Sequence, residues 1–60
     1  PDLTEAVEIA AKGSYAEYAN KFDSGPWEDM SAFSKLAWLE NALPYITALH
    51  NAGLLKETNG

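Results

Sequence analysis

The chain has 60 residues, no cysteine, no arginine and a formal net charge of −5. This length allows one small domain with a marginal core, and the missing cysteines exclude a disulfide framework or a thiolate zinc site. The acidic balance disfavours nucleic acid and anionic membranes as partners, and no apolar run is long enough to cross a bilayer. We therefore expect one cytoplasmic helical domain over residues 1–60, either complete or a fragment of a longer protein.

The N-terminal third of the chain predicts one or two short helices. Residues 2–5 have the spacing of a capping box, in which an acceptor side chain precedes a carboxylate by three residues. Gly13 interrupts the helix that follows, and residues 14–17 repeat the capping-box spacing. A helix can continue through a glycine at a cost of about 1 kcal/mol. The second cap favours a break, with a first helix ending at Lys12 and a second over 15–22.

The next segment predicts a turn and the start of another helix. Residues 23–26 place glycine and proline side by side, which is the clearest turn signal in the chain. Pro26 suits the first position of a single helical turn over 27–30. Ser31 is the predicted cap of the helix that follows.

An apolar stripe dominates the C-terminal half and continues past Pro44. It consists of Leu36, Leu39, Leu43, Ile46 and Leu49, all on one half of a helix. Pro44 falls on the other half, where a proline kinks a helix without interrupting its buried side. We therefore expect one long, Pro-kinked helix over 31–52, ended by Gly53 in the left-handed conformation and followed by a frayed tail at 56–60.

Together these elements predict an all-α fold. It is a small helical hairpin or bundle, in which two or three short N-terminal helices pack on the long C-terminal helix. The stripe is expected to form the core with Val7, Tyr18 and Phe22. The chain has more large apolar residues than so small a monomer can bury, so part of that surface should contact a protein partner or a second copy.

No group of residues indicates catalysis, a cofactor or a metal site. His50 is the only histidine and has no strong second ligand nearby, so we assign it to packing or helix capping. Asp23, Glu28 and Asp29 cluster at the turn but lack the ligand spacing of a calcium loop. They are interpreted as solvated acids at a helix start. The prediction is that the chain is not an enzyme.

The aromatic residues give the best indication of a binding role. Tyrosine and tryptophan are enriched at interface hot spots because they combine a large contact area with a polar group. The candidate interaction residues are Tyr15, Tyr18, Trp27, Trp38 and Tyr45. Core filling is the competing interpretation for most of them, and Trp27, in a Gly-Pro turn, is the hardest to bury. We predict a small acidic, non-catalytic interaction module that self-associates as a dimer or acts as an adaptor through helix packing.

Two alternative functions remain open from the sequence. Residues 1–30 hold seven acids against two lysines, whereas residues 31–60 hold two of each. This asymmetry suits an acidic inhibitor or DNA mimic that binds a basic protein, although the charge density is far below that of duplex DNA. Residues 4–22 also fit a helix-turn-helix loosely, with Gly13 as the turn. Its recognition helix would carry Lys21 as its only cation, which is poor for DNA binding.

Overall fold

The computed structural model describes residues 2–55, which form two antiparallel helices joined by a short turn. Helix α1 spans Thr4–Phe22, a 3₁₀ turn spans Trp27–Asp29, and helix α2 spans Ala32–Asn51. No strand occurs in this part of the chain. The two helices pack along their length, which confirms the all-α fold.

Helix α1 is a single helix of 19 residues that continues through Gly13. The predicted break at this glycine is therefore wrong. Val7, Ala11 and Tyr15 are all buried and follow one another at four-residue intervals, so one apolar face runs across the glycine. Burial of this face outweighs the cost of about 1 kcal/mol for a glycine inside a helix.

Asp2 accepts a hydrogen bond at the N-terminus of α1. Its carboxylate Oδ1 accepts a hydrogen bond from the Thr4 N–H at 2.9 Å, one of the N–H groups that have no partner within the helix. Hydrogen bonds from the side chain and backbone of Thr4 lower the pKa of the Asp2 carboxyl. The ionised carboxylate is therefore the form that the helix start favours.

Asp23 ends α1 in the left-handed conformation, with φ 53° and ψ 49°. The N–H groups of Asp23 and Ser24 both donate to the carbonyl oxygen of Ala19, which completes the last turn. Helices usually place glycine at this position, because a Cβ destabilises the left-handed conformation. The chain reverses here as the Gly-Pro pair predicted, with Gly25 also at positive φ.

Helix α2 begins and ends close to where the sequence predicted. The Ser31 hydroxyl oxygen accepts a hydrogen bond from the Ser34 N–H at 3.1 Å and so caps the helix. Gly53 adopts φ 77°, and the next N–H, that of Leu54, donates to the Leu49 carbonyl at 3.0 Å. Pro44 lies inside the helix on an exposed position, as expected. The kink at this proline remains a prediction, and the predicted frayed tail at 56–60 lies outside the described residues.

The core between the helices is small. Its buried members are Val7, Ala11, Tyr15, Ala42 and Ile46. Around them pack partly buried side chains: Leu3, Ala6, Ala10, Trp27, Trp38, Leu39 and Leu55. A core of this size leaves large apolar side chains outside it.

Tyr18 and Phe22 were predicted to fill the core, and this expectation is wrong, because both side chains are exposed. Tyr18 packs beside Trp38 of α2 and is still 43% exposed. For Phe22 the reason is the register of the antiparallel helices, in which Tyr15 contacts Trp38. On that register Phe22 lies opposite the cap of α2, before the helix begins, and no helical residue covers it.

We expect Asp23→Gly to raise the free energy of unfolding by about 1 kcal/mol, because glycine adopts the left-handed conformation without a Cβ clash. Urea denaturation followed by circular dichroism at fixed chain concentration measures this difference. Ser24→Gly is the matched control and should leave stability unchanged or lower, since Ser24 has no positive φ to relieve. Equal effects of the two substitutions would contradict the assignment of strain to Asp23.

The pH dependence of the α1 start follows from the lowered pKa of Asp2. Because the folded-state pKa lies below that of the unfolded chain, the stabilisation is fully present above the unfolded pKa. It is lost as pH falls through the folded pKa. We expect the Thr4 amide resonance to titrate with the Asp2 carboxyl in NMR spectra, and this acid transition to vanish in Asp2→Asn. An Asp2 pKa at or above its ordinary value would contradict the capping role.

Candidate interaction surface

Tyr15 connects α1 to the turn that leads into α2. Its side chain is only 3% exposed. The hydroxyl group donates to the carbonyl oxygen of Gly25 at 2.9 Å and lies 3.2 Å from that of Ser24. These contacts hold the turn against the helix, because a buried hydroxyl without partners would be costly.

The ring of Tyr15 also organises the two tryptophans. It packs edge-on against Trp27, with centroids 5.8 Å apart, and against Trp38, with centroids 5.4 Å apart. Trp27 was expected to resist burial, and the structure leaves it half-buried against the core. The aromatic ring of Tyr15 thus joins the turn to both helices.

A row of aromatic rings continues from this cluster to the surface. Tyr18 lies 5.4 Å from Trp38 and 4.8 Å from Phe22, measured between ring centroids. Tyr45 lies seven residues after Trp38 and therefore on the same side of α2. We call the surface formed by Tyr18, Trp38, Tyr45 and Leu49 the aromatic flank.

The other side of α2 carries exposed leucines. Leu36 is 53% and Leu43 is 48% exposed, and both belong to the stripe that was predicted to be core. That prediction is wrong for Leu36, Leu43 and Leu49, because the stripe covers about half of the helix and a single partner helix covers less. Helix α1 covers Ile46 and part of Leu39, and it leaves the edges open.

An apolar cleft of about 290 Å³ lies beside Leu43, between the two helices. It is lined by Leu3, Thr4, Val7, Glu8, Leu39 and Leu43. The only charged lining residue, Glu8, forms an ion pair with Lys12 at 3.0 Å. We call Leu36, Leu39 and Leu43, together with this cleft, the leucine flank.

The five candidate interaction residues occupy different environments. Tyr15 is interior and acts on the surface only by positioning its neighbours, whereas Trp27 and Trp38 are half-buried. Tyr18 and Tyr45 are exposed, at 43% and 68%. Contacts with a partner remain a prediction for all five. Leu36 and Leu43 were not among the predicted interaction residues, although an apolar stripe wider than one partner helix can cover was a signal for them.

Charge is almost absent from α2. Within Ala32–Asn51 the formally charged residues are Lys35 and Glu40, and His50 is half-buried in the last turn. Surface helices of globular proteins normally carry charged residues opposite their apolar side. Opposite its apolar side, α2 carries one charged residue, Glu40, among alanine, asparagine, proline and threonine residues.

Residues 2–55 bring no three His, Asp or Glu side chains together in a group suited to a metal ion. Neither long helix of this part of the chain is apolar enough over a sufficient length to cross a membrane.

We expect Tyr15→Phe to lower the free energy of unfolding by about 1 kcal/mol, because it removes the hydroxyl donor to the turn and keeps the ring. The near-ultraviolet circular dichroism of the tryptophans should weaken as Trp27 loses its fixed position. Tyr45→Phe is the matched control and should change stability by a few tenths of a kcal/mol, since Tyr45 is exposed. If the two variants behave alike, Tyr15 does not anchor the turn.

Comparison with known proteins finds no matching family model, no matching curated protein and no matching solved structure.

Proposed function

We propose that this chain is a small acidic, non-catalytic module that binds protein through helix packing, with the apolar flanks of α2 as its contact surface. The observation that carries the proposal is the exposure of Leu36 and Leu43 on one side of α2, together with the apolar cleft that Leu43 lines. Exposed aliphatic side chains next to one another on a helix are typical of a binding face. Covering them removes apolar surface from water, at about 25 cal/mol for each Å².

The distribution of charge supports an apolar partner surface over a basic one. The acids are concentrated in residues 1–30, whereas α2 carries one lysine and one glutamate. A basic protein that bound the acidic half would leave both flanks of α2 in water. The interaction-module interpretation therefore accounts for more of the exposed surface than an acidic inhibitor or DNA mimic does.

The aromatic flank supplies the remaining candidate contacts. Tyr18 and Tyr45 are exposed, and Trp38 between them is held by the ring of Tyr15. Rigidly held aromatic rings lose little conformational entropy on binding, which suits them to hot spots. In this proposal Tyr15 and Trp27 position the surface, and Tyr18, Trp38 and Tyr45 take part in it.

Site-specific photo-crosslinking tests this function. A photoreactive amino acid is placed at position 36, 45 or 9, and cells that produce the chain are irradiated. We expect covalent adducts with protein from position 36 or 45, at several-fold higher yield than from position 9. Ile9 is a matched control because it is an exposed aliphatic residue about 200° around α1 from the buried Val7 and Ala11.

The identity of the adduct is read by mass spectrometry, so a second copy and a different protein both register as partners. Equal yields from the three positions, or no adduct from either flank of α2, would contradict the proposed function.

A further inference from the structure

We infer that Tyr18 is an oxidation site: when a one-electron oxidant removes an electron from either tryptophan, the radical ends on the phenol of Tyr18. Contacts between aromatic rings, the burial of Tyr15 and the exposure of Tyr18 carry this inference, which is independent of the proposed function. The product is a phenoxyl radical at the surface. Two such radicals join two chains by a covalent bond between their Tyr18 rings.

A continuous set of ring contacts leads from the turn to the surface. The ring centroid of Trp27 lies 5.8 Å from that of Tyr15, and the Tyr15 centroid lies 5.4 Å from that of Trp38. The Trp38 centroid in turn lies 5.4 Å from that of Tyr18. Rings at these distances touch each other. An electron crosses such contacts faster than two protein molecules meet by diffusion, so an oxidised tryptophan takes its electron from a tyrosine of the same chain.

The destination of the proton distinguishes the two tyrosines. A phenol that loses an electron must also lose its hydroxyl proton, because the phenol radical cation is a very strong acid. The Tyr15 hydroxyl donates to the Gly25 carbonyl at 2.9 Å, and the side chain is only 3% exposed. A backbone carbonyl accepts a hydrogen bond but does not retain a proton at neutral pH. Tyr15 therefore conducts the electron between its neighbours without becoming the lasting radical.

Tyr18 has a route for its proton. Its side chain is 43% exposed, and within residues 2–55 its hydroxyl makes no hydrogen bond, so water accepts the proton. At neutral pH a tyrosine whose proton enters water is oxidised more readily than a tryptophan. One electron passes from the Tyr18 phenol to the Trp38 radical, and the indole nitrogen recovers the proton that it had lost. The equilibrium between the two rings therefore favours the Tyr18 radical.

The Tyr18 radical lasts until it meets a second radical. The chain has no cysteine, so no thiol of its own intercepts the oxidising equivalent. Two phenoxyl radicals combine through the ring carbons beside their oxygens, which forms one carbon–carbon bond. The hydrogen on each of these carbons then moves to the phenol oxygen. Two one-electron oxidations thus give one dityrosine link and restore both hydroxyl groups.

Pulse radiolysis of the full chain in azide solution tests this inference. The azide radical is a one-electron oxidant that reacts much faster with indoles than with un-ionised phenols. We expect the absorption of the tryptophan radical to decay into that of a phenoxyl radical, in a first-order step whose rate is independent of chain concentration. Tyr18→Phe should slow this step several-fold.

Tyr45→Phe is the matched control and should leave the rate unchanged. Tyr45 is 68% exposed, but seven residues of α2 separate it from Trp38, which is about 10 Å of helix rise. Circular dichroism of both variants confirms that the helices are retained before irradiation. An unchanged rate in Tyr18→Phe overturns the inference. So does a rate that rises in proportion to chain concentration, because the electron would then pass between chains.

Product analysis gives a second test that does not depend on kinetics. Continuous γ-irradiation of the same azide solution produces linked chains, and mass spectrometry of their peptides locates the dityrosine. We expect links through Tyr18 to exceed those through Tyr15 or Tyr45, and this preference to disappear in urea that unfolds both helices. Dominance of Tyr45, the more exposed tyrosine, overturns the inference. A preference for Tyr18 that persists in urea overturns the role of the ring contacts.

Discussion

Two helices can cover only one side of each other, and this geometric limit controls the rest of the structure. The antiparallel contact between α1 and α2 buries five side chains and half-buries several more. Within residues 2–55 no third helix covers the residues to either side of that contact, because the 3₁₀ turn over Trp27–Asp29 packs at one end of the hairpin through Trp27. The open flanks of α2 therefore follow from the two-helix topology of this part of the chain.

Within that limit, Tyr15 fixes how the hairpin closes. Its ring touches a tryptophan from the turn and one from α2, and its hydroxyl donates to the Gly25 carbonyl of the turn. One interior side chain thus sets the path of the connection and the position of Trp38 on the aromatic flank. The other half of the core relies on smaller side chains, Val7, Ala11 and Ala42, which let the helices approach closely.

Local signals in the sequence predicted the ends of the elements well. The Gly-Pro turn, the Ser31 cap and the left-handed Gly53 are all found, because each depends on bonds within a few residues. Gly13 was misread for the opposite reason. A local cap signal was outweighed by the continuous burial of α1 against α2, which depends on a distant part of the chain.

Burial was also only partly predictable. Periodicity shows which side of a helix is apolar, but it does not show how many helices will cover that side. Leu39 and Ile46 follow the prediction, whereas Leu36 and Leu43 in the same stripe are exposed. Likewise, Phe22 lies on the correct side of α1 but beyond the region that α2 covers, and Tyr18 contacts Trp38 of α2 while 43% of it stays exposed. The candidate site was therefore hidden within residues that the sequence assigned to the core.

The exposed glycine in the middle of α1 lowers the stability of the hairpin. A Cβ at Gly13 would meet no neighbouring atom within 4 Å, so alanine would fit there and would strengthen the helix. The chain thus carries a glycine at a position where no contact requires one. A difference of about 1 kcal/mol changes the ratio of folded to unfolded chains about five-fold. Gly13 therefore raises the share of chains that are open to proteases at any moment.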